Sequence, residues 1–291
     1  MTPEQLPVEE LRRCVNGLQL EVAVAGVPGN PVVVLLHGFP DFWQGWHYQI
    51  APLLEAGFRI LAPNQRGYGR SDKPPAVRDY DLDRLAEDVI ALADGEGCQK
   101  FSLVGHDWGG LVAWWVSARF PERVERLVIL NAPHPGAFWG YVLRSPSQFF
   151  RSLYVGFFQL PWLPEALFSR NQYELLFRSV QRMGPVGLFD DTDRRYLLVG
   201  WSQPGALTAM LNYYRAIARR SWKSLRLRVS VPTLILMSRQ DPALEPGLAE
   251  ASATYCDNVC LIWLEQGQHW IQREFPVQVT EQILSFLRST H

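Results

Sequence analysis

The chain has 291 residues, 47% of them hydrophobic, with 28 lysines and arginines against 29 aspartates and glutamates. It is too long for a small binding module and apolar enough to bury a substantial core, and length alone suggests about two domains or one domain with an insertion. A net charge of −1 offers nothing to draw the chain to nucleic acid or an anionic membrane.

Met1-Thr2-Pro3-Glu4-Gln5 is acidic and lacks the apolar centre of a signal peptide. Residues 14–24, broken by Asn16-Gly17, predict a first hairpin. Residues 32–36 and 58–62 read as strands separated by a helix over 46–56. Helical periodicity over 83–93 leads into a strand at 101–104, then a helix over 111–119 and a strand over 124–130. That alternation predicts a mostly parallel sheet with helices on both faces. From residue 135 to 222 the strands vanish, and the segment is helical, interrupted by prolines and rich in aromatics. Its most apolar stretch, 152–164, is too short and too proline-broken to span a membrane. Strands return at 231–237 and 259–264. The dense cations Arg215, Arg219, Arg220, Lys223, Arg226 and Arg228 read as a solvated helix face.

The chemistry is concentrated in Gly105-His106-Asp107-Trp108-Gly109-Gly110, at a strand-to-helix junction. Small residues around a central nucleophile describe a nucleophile elbow, a turn too tight for larger side chains. The usual central serine is replaced by Asp107. A carboxylate suits displacement at a saturated carbon, and its product is an ester on the enzyme that must then be hydrolysed. Asp241 follows the strand at 231–237, and His269 follows the one at 259–264, giving the order nucleophile, acid, histidine found in α/β-hydrolases. The other acid position of that fold, after residues 124–130, holds Asn131, which carries no charge. His37-Gly38-Phe39-Pro40 follows the strand at 32–36, where the fold supplies one oxyanion-hole N–H. The donors are therefore assigned to the backbone of Phe39 and Trp108.

Over almost its whole length the chain resembles the α/β-hydrolase-fold epoxide hydrolases. The likeness rests on His37-Gly38-Phe39-Pro40, Arg66-Gly67-Tyr68-Gly69-Arg70-Ser71-Asp72, the elbow, Asn131-Ala132-Pro133-His134-Pro135 and Gly267-Gln268-His269-Trp270. Phe158-Gln159-Leu160-Pro161-Trp162-Leu163-Pro164-Glu165 and Leu211-Asn212-Tyr213-Tyr214-Arg215 add to it. It implies a hydrolase core in two parts, 1–134 and 223–291, with an inserted helical cap over 135–222. It also implies two lid tyrosines that hold the epoxide oxygen. The matching motifs place these on Tyr154 and Tyr214, with Tyr213 left to core packing. Plant relatives carry a water-positioning glutamate directly after the His-Gly-Phe-Pro motif; here Asp41 is a methylene shorter.

The expected partners are a small hydrophobic epoxide and water, with no nucleic acid and no membrane, and a homodimer is an open alternative. No metal or organic cofactor is expected: none of the six histidines forms a metal-ligand motif, and His37, His106 and His134 read as structural residues in loop motifs. Cys14, Cys98, Cys256 and Cys260 have no disulfide or zinc spacing, which suits a reducing cytoplasm. Two rivals remain. Haloalkane and fluoroacetate dehalogenases share the aspartate elbow, but Phe39 offers no second halide donor and Trp108 stands where the fluoroacetate enzymes carry arginine. A non-catalytic receptor of this fold typically lacks part of the triad, which this chain keeps whole.

Overall fold

The structure, a computed structural model, describes residues 5–220 and 227–289. Strands β1 (Glu9–Val15) and β2 (Leu18–Ala25) form the opening hairpin. Its turn puts Asn16 at φ 50° and Gly17 at φ 79°, the left-handed pair that a two-residue hairpin requires. β1 starts earlier than its apolar pattern suggests, because as an edge strand it leaves Glu9, Glu10 and Arg12 in solvent. β3 (Val32–Leu36), β4 (Arg59–Asn64), β5 (Phe101–His106), β6 (Val124–Leu130), β7 (Thr233–Ser238) and β8 (Val259–Leu264) complete one sheet. The order is β1-β2-β4-β3-β5-β6-β7-β8. Only the β1–β2 and β2–β4 pairings are antiparallel.

Strand periodicity divides the core in two. Val34, Leu36, Leu103, Leu127, Ile129 and Ile235 face helices Leu82–Gly95 and Trp108–Arg119. Val33, Leu35, Val104, Val128, Leu130 and Leu234 face helices His47–Glu55 and Pro276–Arg288. Each fully buried aliphatic side chain contributes about 1.5–3 kcal/mol, so the central strands carry a large share of the burial that holds the sheet. Parallel strands covered on both faces leave their C-terminal ends as the place where loops converge.

Between β6 and β7 the described chain is helical: Pro135–Val142, Pro146–Arg151, Leu153–Phe157, Leu163–Phe168, Glu174–Arg182, Asp191–Trp201 and Ala206–Arg219. This is the inserted cap of an α/β-hydrolase fold; its expected far boundary, 222/223, lies outside the described residues. The cation cluster is not the solvated face its composition suggests. Arg215 is buried and pairs with Glu165 at 2.7 Å. Arg220 pairs with Asp81 and Asp83 and lies over the Trp115 ring. Arg228 pairs with Asp257, and Arg219 is exposed. Lys223 and Arg226 lie outside the described residues. Charge density in sequence misled here because the opposing carboxylates come from distant segments.

Candidate active site

β5 ends at His106 and helix Trp108–Arg119 begins two residues later, leaving Asp107 alone on the turn. Its φ of 51° and ψ of −119° are strained for an L residue, at about 1–3 kcal/mol held in place by the surrounding packing. The packing is close. A Cβ on Gly109 would collide with the Leu36 and His37 backbone, and one on Gly38 would come within 2.5 Å of the Asp107 side chain. The carboxylate stands at a helix N-terminus, where the helix dipole favours negative charge.

Asp107 Oδ1 accepts the Phe39 N–H at 2.7 Å, and the Trp108 N–H also hydrogen-bonds the carboxylate. Oδ2 faces His269 Nε2 at 3.8 Å. On the other side of the ring, Nδ1 lies 2.8 Å from Asp241 Oδ2. Asp241 Oδ1 takes the N–H groups of Ala243 and Leu244 at 2.7 and 3.1 Å. Burial raises the Asp107 pKa against the pull of His269 and the two backbone donors. For His269 burial works against the charge, but Asp241 and then Asp107 outweigh it and raise the pKa to about 9.

The loop bearing His269 is gripped at nearly every backbone group. Asn131 Nδ2 donates to the carbonyls of Gln268 and His269 at 2.7 and 2.9 Å, and His106 Nε2 lies 2.9 Å from the same His269 oxygen. Glu274 accepts from the amides of Gln268 and Trp270 at 2.8 and 2.9 Å. Asn131 thus occupies the alternative acid position and braces the histidine loop. His106 is the last residue of β5 rather than part of a loop. His37 and His134 use both ring nitrogens on backbone groups, and burial lowers each pKa to about 4.

Above the carboxylate, Tyr154 (on helix Leu153–Phe157) and Tyr214 (on helix Ala206–Arg219) pack edge to face, with ring centroids 5.9 Å apart. Burial and then neighbouring negative charge raise both phenol pKa values, so both stay protonated at neutral pH. The Trp108 indole packs edge to face on the Tyr214 ring, with centroids 4.9 Å apart. Tyr213 points away: its hydroxyl donates to the Arg66 carbonyl at 2.8 Å and its ring packs on Tyr68 and Tyr80.

Asp107, His269, Tyr154 and Tyr214 line a cavity of about 330 Å³ whose walls are mostly Phe157, Phe158, Phe168, Leu176, Val180 and Met183. A second void of about 50 Å³ shares those four residues and is walled by Trp108, Leu111, Phe138, Trp139, Ile217 and Leu244. The seven residues singled out in sequence (Phe39, Asp107, Trp108, Tyr154, Tyr214, Asp241 and His269) therefore meet at one place. Asp41 does not line either cavity. Its carboxylate is buried behind the loop, taking the Phe42 N–H at 2.9 Å and lying 3.7 Å from Arg273. Sequence reading missed the braces: Glu274, Arg273 with Asp193, and Gln148, whose amide group donates to Ala243 O and accepts from Glu245 N at 2.8 Å each beside the Asp241 loop. The Asp193 partner of Arg273 and these two partners of Gln148 lie 80 to 97 positions away, which nothing in local spacing announces, whereas those of Glu274 lie four and six positions away on its own loop.

The family model for the alpha/beta hydrolase fold matches residues 31–276. A Bacillus subtilis protein described as AB hydrolase superfamily protein YfhM is 40% identical over 274 residues, covering 94% of this chain and 96% of its own. Human epoxide hydrolase 4 is 38% identical over 284 residues, covering 94% of this chain and 76% of its own. Among solved structures, an epoxide hydrolase from metagenomes of hot environments superposes with a TM-score of 0.87 at 32% identity, covering 98% of this chain and 100% of that one. The chain belongs to the α/β hydrolase family, in its epoxide hydrolase branch.

Proposed function

We propose that this chain hydrolyses apolar epoxides to vicinal diols in two covalent steps. The observation that carries the reading is a pair of protonated phenols, Tyr154 and Tyr214, set over a carboxylate in an apolar cavity. Asp107 Oδ1 is engaged by the hole, so Oδ2 is the nucleophile. It attacks one epoxide carbon in line as the C–O bond of that same carbon breaks on the far side. The departing oxygen is far more basic than a phenol and takes a proton from a tyrosine. Alkylation discharges Asp107, one of the two carboxylates holding a proton on His269. The imidazole then gives up that proton, which balances the one lost by the tyrosine, and is left as a base.

In the second step His269, oriented by Asp241, takes a proton from water while the hydroxyl oxygen adds to the ester carbonyl. Oδ1 becomes the oxyanion and is met by the N–H groups of Phe39 and Trp108. Collapse breaks the bond between the carboxyl carbon and Oδ2. The diol leaves with Oδ2 and a proton from His269, and the carboxyl proton returns to the imidazole. No step calls on a metal or organic cofactor. The two phenols set over the carboxylate favour an oxygen leaving group.

The unequal cavities suit an epoxide with one large apolar substituent and a small one or hydrogen on the other carbon. The division 1–134, 135–222 and 223–291 into core, cap and core belongs to the same reading, as does a cytoplasmic setting for the four thiols. No described helix is long and apolar enough to cross a membrane. The test is a single turnover in heavy-oxygen water. Unlabelled diol is expected, with the label retained in Asp107; fully labelled diol in that first turnover would mean that water attacks the epoxide directly.

A further inference from the structure

Phe39 and His269, which serve ester hydrolysis in the reading above, come from distant loops, and one buried cation joins those loops behind the cavity. Arg273 lies four residues past His269, on the short helix Ile271–Glu274 that also carries Glu274. One guanidinium nitrogen donates to Asp193 Oδ1 at 2.8 Å. Another donates to the Tyr196 hydroxyl and lies 3.7 Å from Asp41 Oδ2. The group stacks over the Phe189 ring at 4.9 Å. Asp41 is two residues past Phe39, and its N–H donates to Gly38 O at 3.0 Å, closing the turn that presents the Phe39 N–H.

The remaining partners sit on the cap. Asp193 and Tyr196 belong to helix Asp191–Trp201, whose Trp201 indole donates to Pro40 O at 2.7 Å. The Phe42 ring fills the space that any side chain at position 200 would need. Two carboxylates therefore share one guanidinium in a site with almost no solvent. Burial raises the pKa of Asp41, with Arg273 opposing the rise. Neither Asp41, Asp193 nor Arg273 lines either cavity. A buried ion pair is a weak source of net stability compared with apolar packing, and its best-attested use is to fix registry.

We propose that Arg273 is a positioning residue for ester hydrolysis: bridging Asp41 and Asp193, it holds the Phe39 loop and the His269 loop in one geometry beneath the cap helix. The inference rests on the two-step reading. It separates the steps because charge moves in opposite directions in them. During ester formation negative charge leaves Asp107, so the Phe39 hydrogen bond weakens as the reaction proceeds, and loosening that donor does not raise the barrier. During hydrolysis charge grows on the same oxygen while His269 must hold the water in line, so both loops must be in place together.

Rapid mixing of excess enzyme with an aryl-substituted terminal epoxide, followed by acid quench and intact-protein mass measurement, reads the two rates separately. At temperatures well below each variant's Tm, Arg273→Met should form ester within about threefold of the wild-type rate and hydrolyse it at least about tenfold more slowly. With substrate in excess instead, the ester fraction of the enzyme during turnover should rise above that of the wild type. Arg273→Lys should fall between, since an ammonium keeps the charge but cannot span both carboxylates. Adding Asp41→Asn to Arg273→Met should recover part of the hydrolysis rate by removing an unpaired buried charge. Wild-type ester hydrolysis in folded Arg273→Met, or equal loss in both steps, would overturn the proposal. His269→Gln is the control: if it traps ester while Arg273→Met accumulates none, only the positioning role fails, and if it traps none, the two-step reading itself fails.

Discussion

The residues at the sheet's C-terminal edge and those on the cap are held by different means. Asp107 and Asp241 are fixed by backbone N–H groups, and the His269 loop by Asn131, His106 and Glu274 on its own backbone. Tyr154 and Tyr214 ride on helices and are placed by ring packing against Phe39, Phe158 and Trp108. Hydrogen bonds to a strand-anchored backbone have one geometry. Aromatic packing tolerates small shifts. Substitutions on the sheet side should therefore act as all or none, and those on the cap side should be graded.

The sharpest break in that contrast would come from the sheet side. Asp107→Ala should abolish turnover, because no other carboxylate lines the cavities. His269→Gln should leave attack intact and stop hydrolysis, so a covalent adduct of substrate mass should accumulate. Asp241→Asn keeps the shape of the side chain and loses only its charge, so it is the one sheet-side change expected to be milder, since the imidazole remains. On the cap side, removing one preorganised donor typically costs about 3 kcal/mol, or roughly a hundredfold in rate. Tyr154→Phe and Tyr214→Phe should each show that loss in the alkylation rate and little change in ester hydrolysis. The double variant should bring alkylation close to nothing, and wild-type alkylation in it would sink the tyrosine assignment.

Electrostatics couples the two carboxylates through one ring. His269 should titrate near the value of about 9 set against burial by Asp241 and Asp107, and imidazole NMR should find it lower in Asp107→Asn. Because the folded value lies above the ordinary histidine value of about 6.5, this group's contribution to stability is full below that pH. It is lost as pH rises through about 9. The thermal stability lost over that window should be smaller in Asp241→Asn than in the wild type.

The same contrast explains how much was readable from the chain. The elbow, the acid, the histidine and the hole donors follow strands that are largely apolar, and β3, β6 and β8 match their expected bounds. The tyrosines were reachable only through motif likeness, because helix–aromatic packing leaves no fixed spacing between 154 and 214. The ion pairs Arg215–Glu165 and Arg273–Asp193 were invisible, since each joins residues 50 and 80 positions apart through tertiary packing alone. Asp41 was placed correctly in its loop, but its side chain is turned toward Arg273 and away from both cavities.

The smallest expected effect tests whether the cap side is graded. The lesser void, about 50 Å³, is bounded by Trp139 and Leu111, while the larger is bounded by Phe157, Leu176 and Met183. An epoxide with bulky groups on both carbons must push one of them into the lesser void, and crowding of a methylene or two in an apolar pocket is worth about 1–3 kcal/mol, or roughly tenfold to two-hundredfold. A second phenyl ring adds more than a methylene, so wild-type enzyme should favour a phenyl-substituted terminal epoxide over its trans-diphenyl counterpart in kcat/KM by at least about tenfold. Trp139→Ala, on a cap helix, should narrow the ratio chiefly by raising kcat/KM for the diphenyl substrate, with the terminal epoxide changed less than about threefold. Equal kcat/KM for both substrates in the wild type would mean that the lesser void does not receive a substituent. A Trp139→Ala variant that lost both activities together would place that tryptophan among the all-or-none supports and remove the distinction between the two sides.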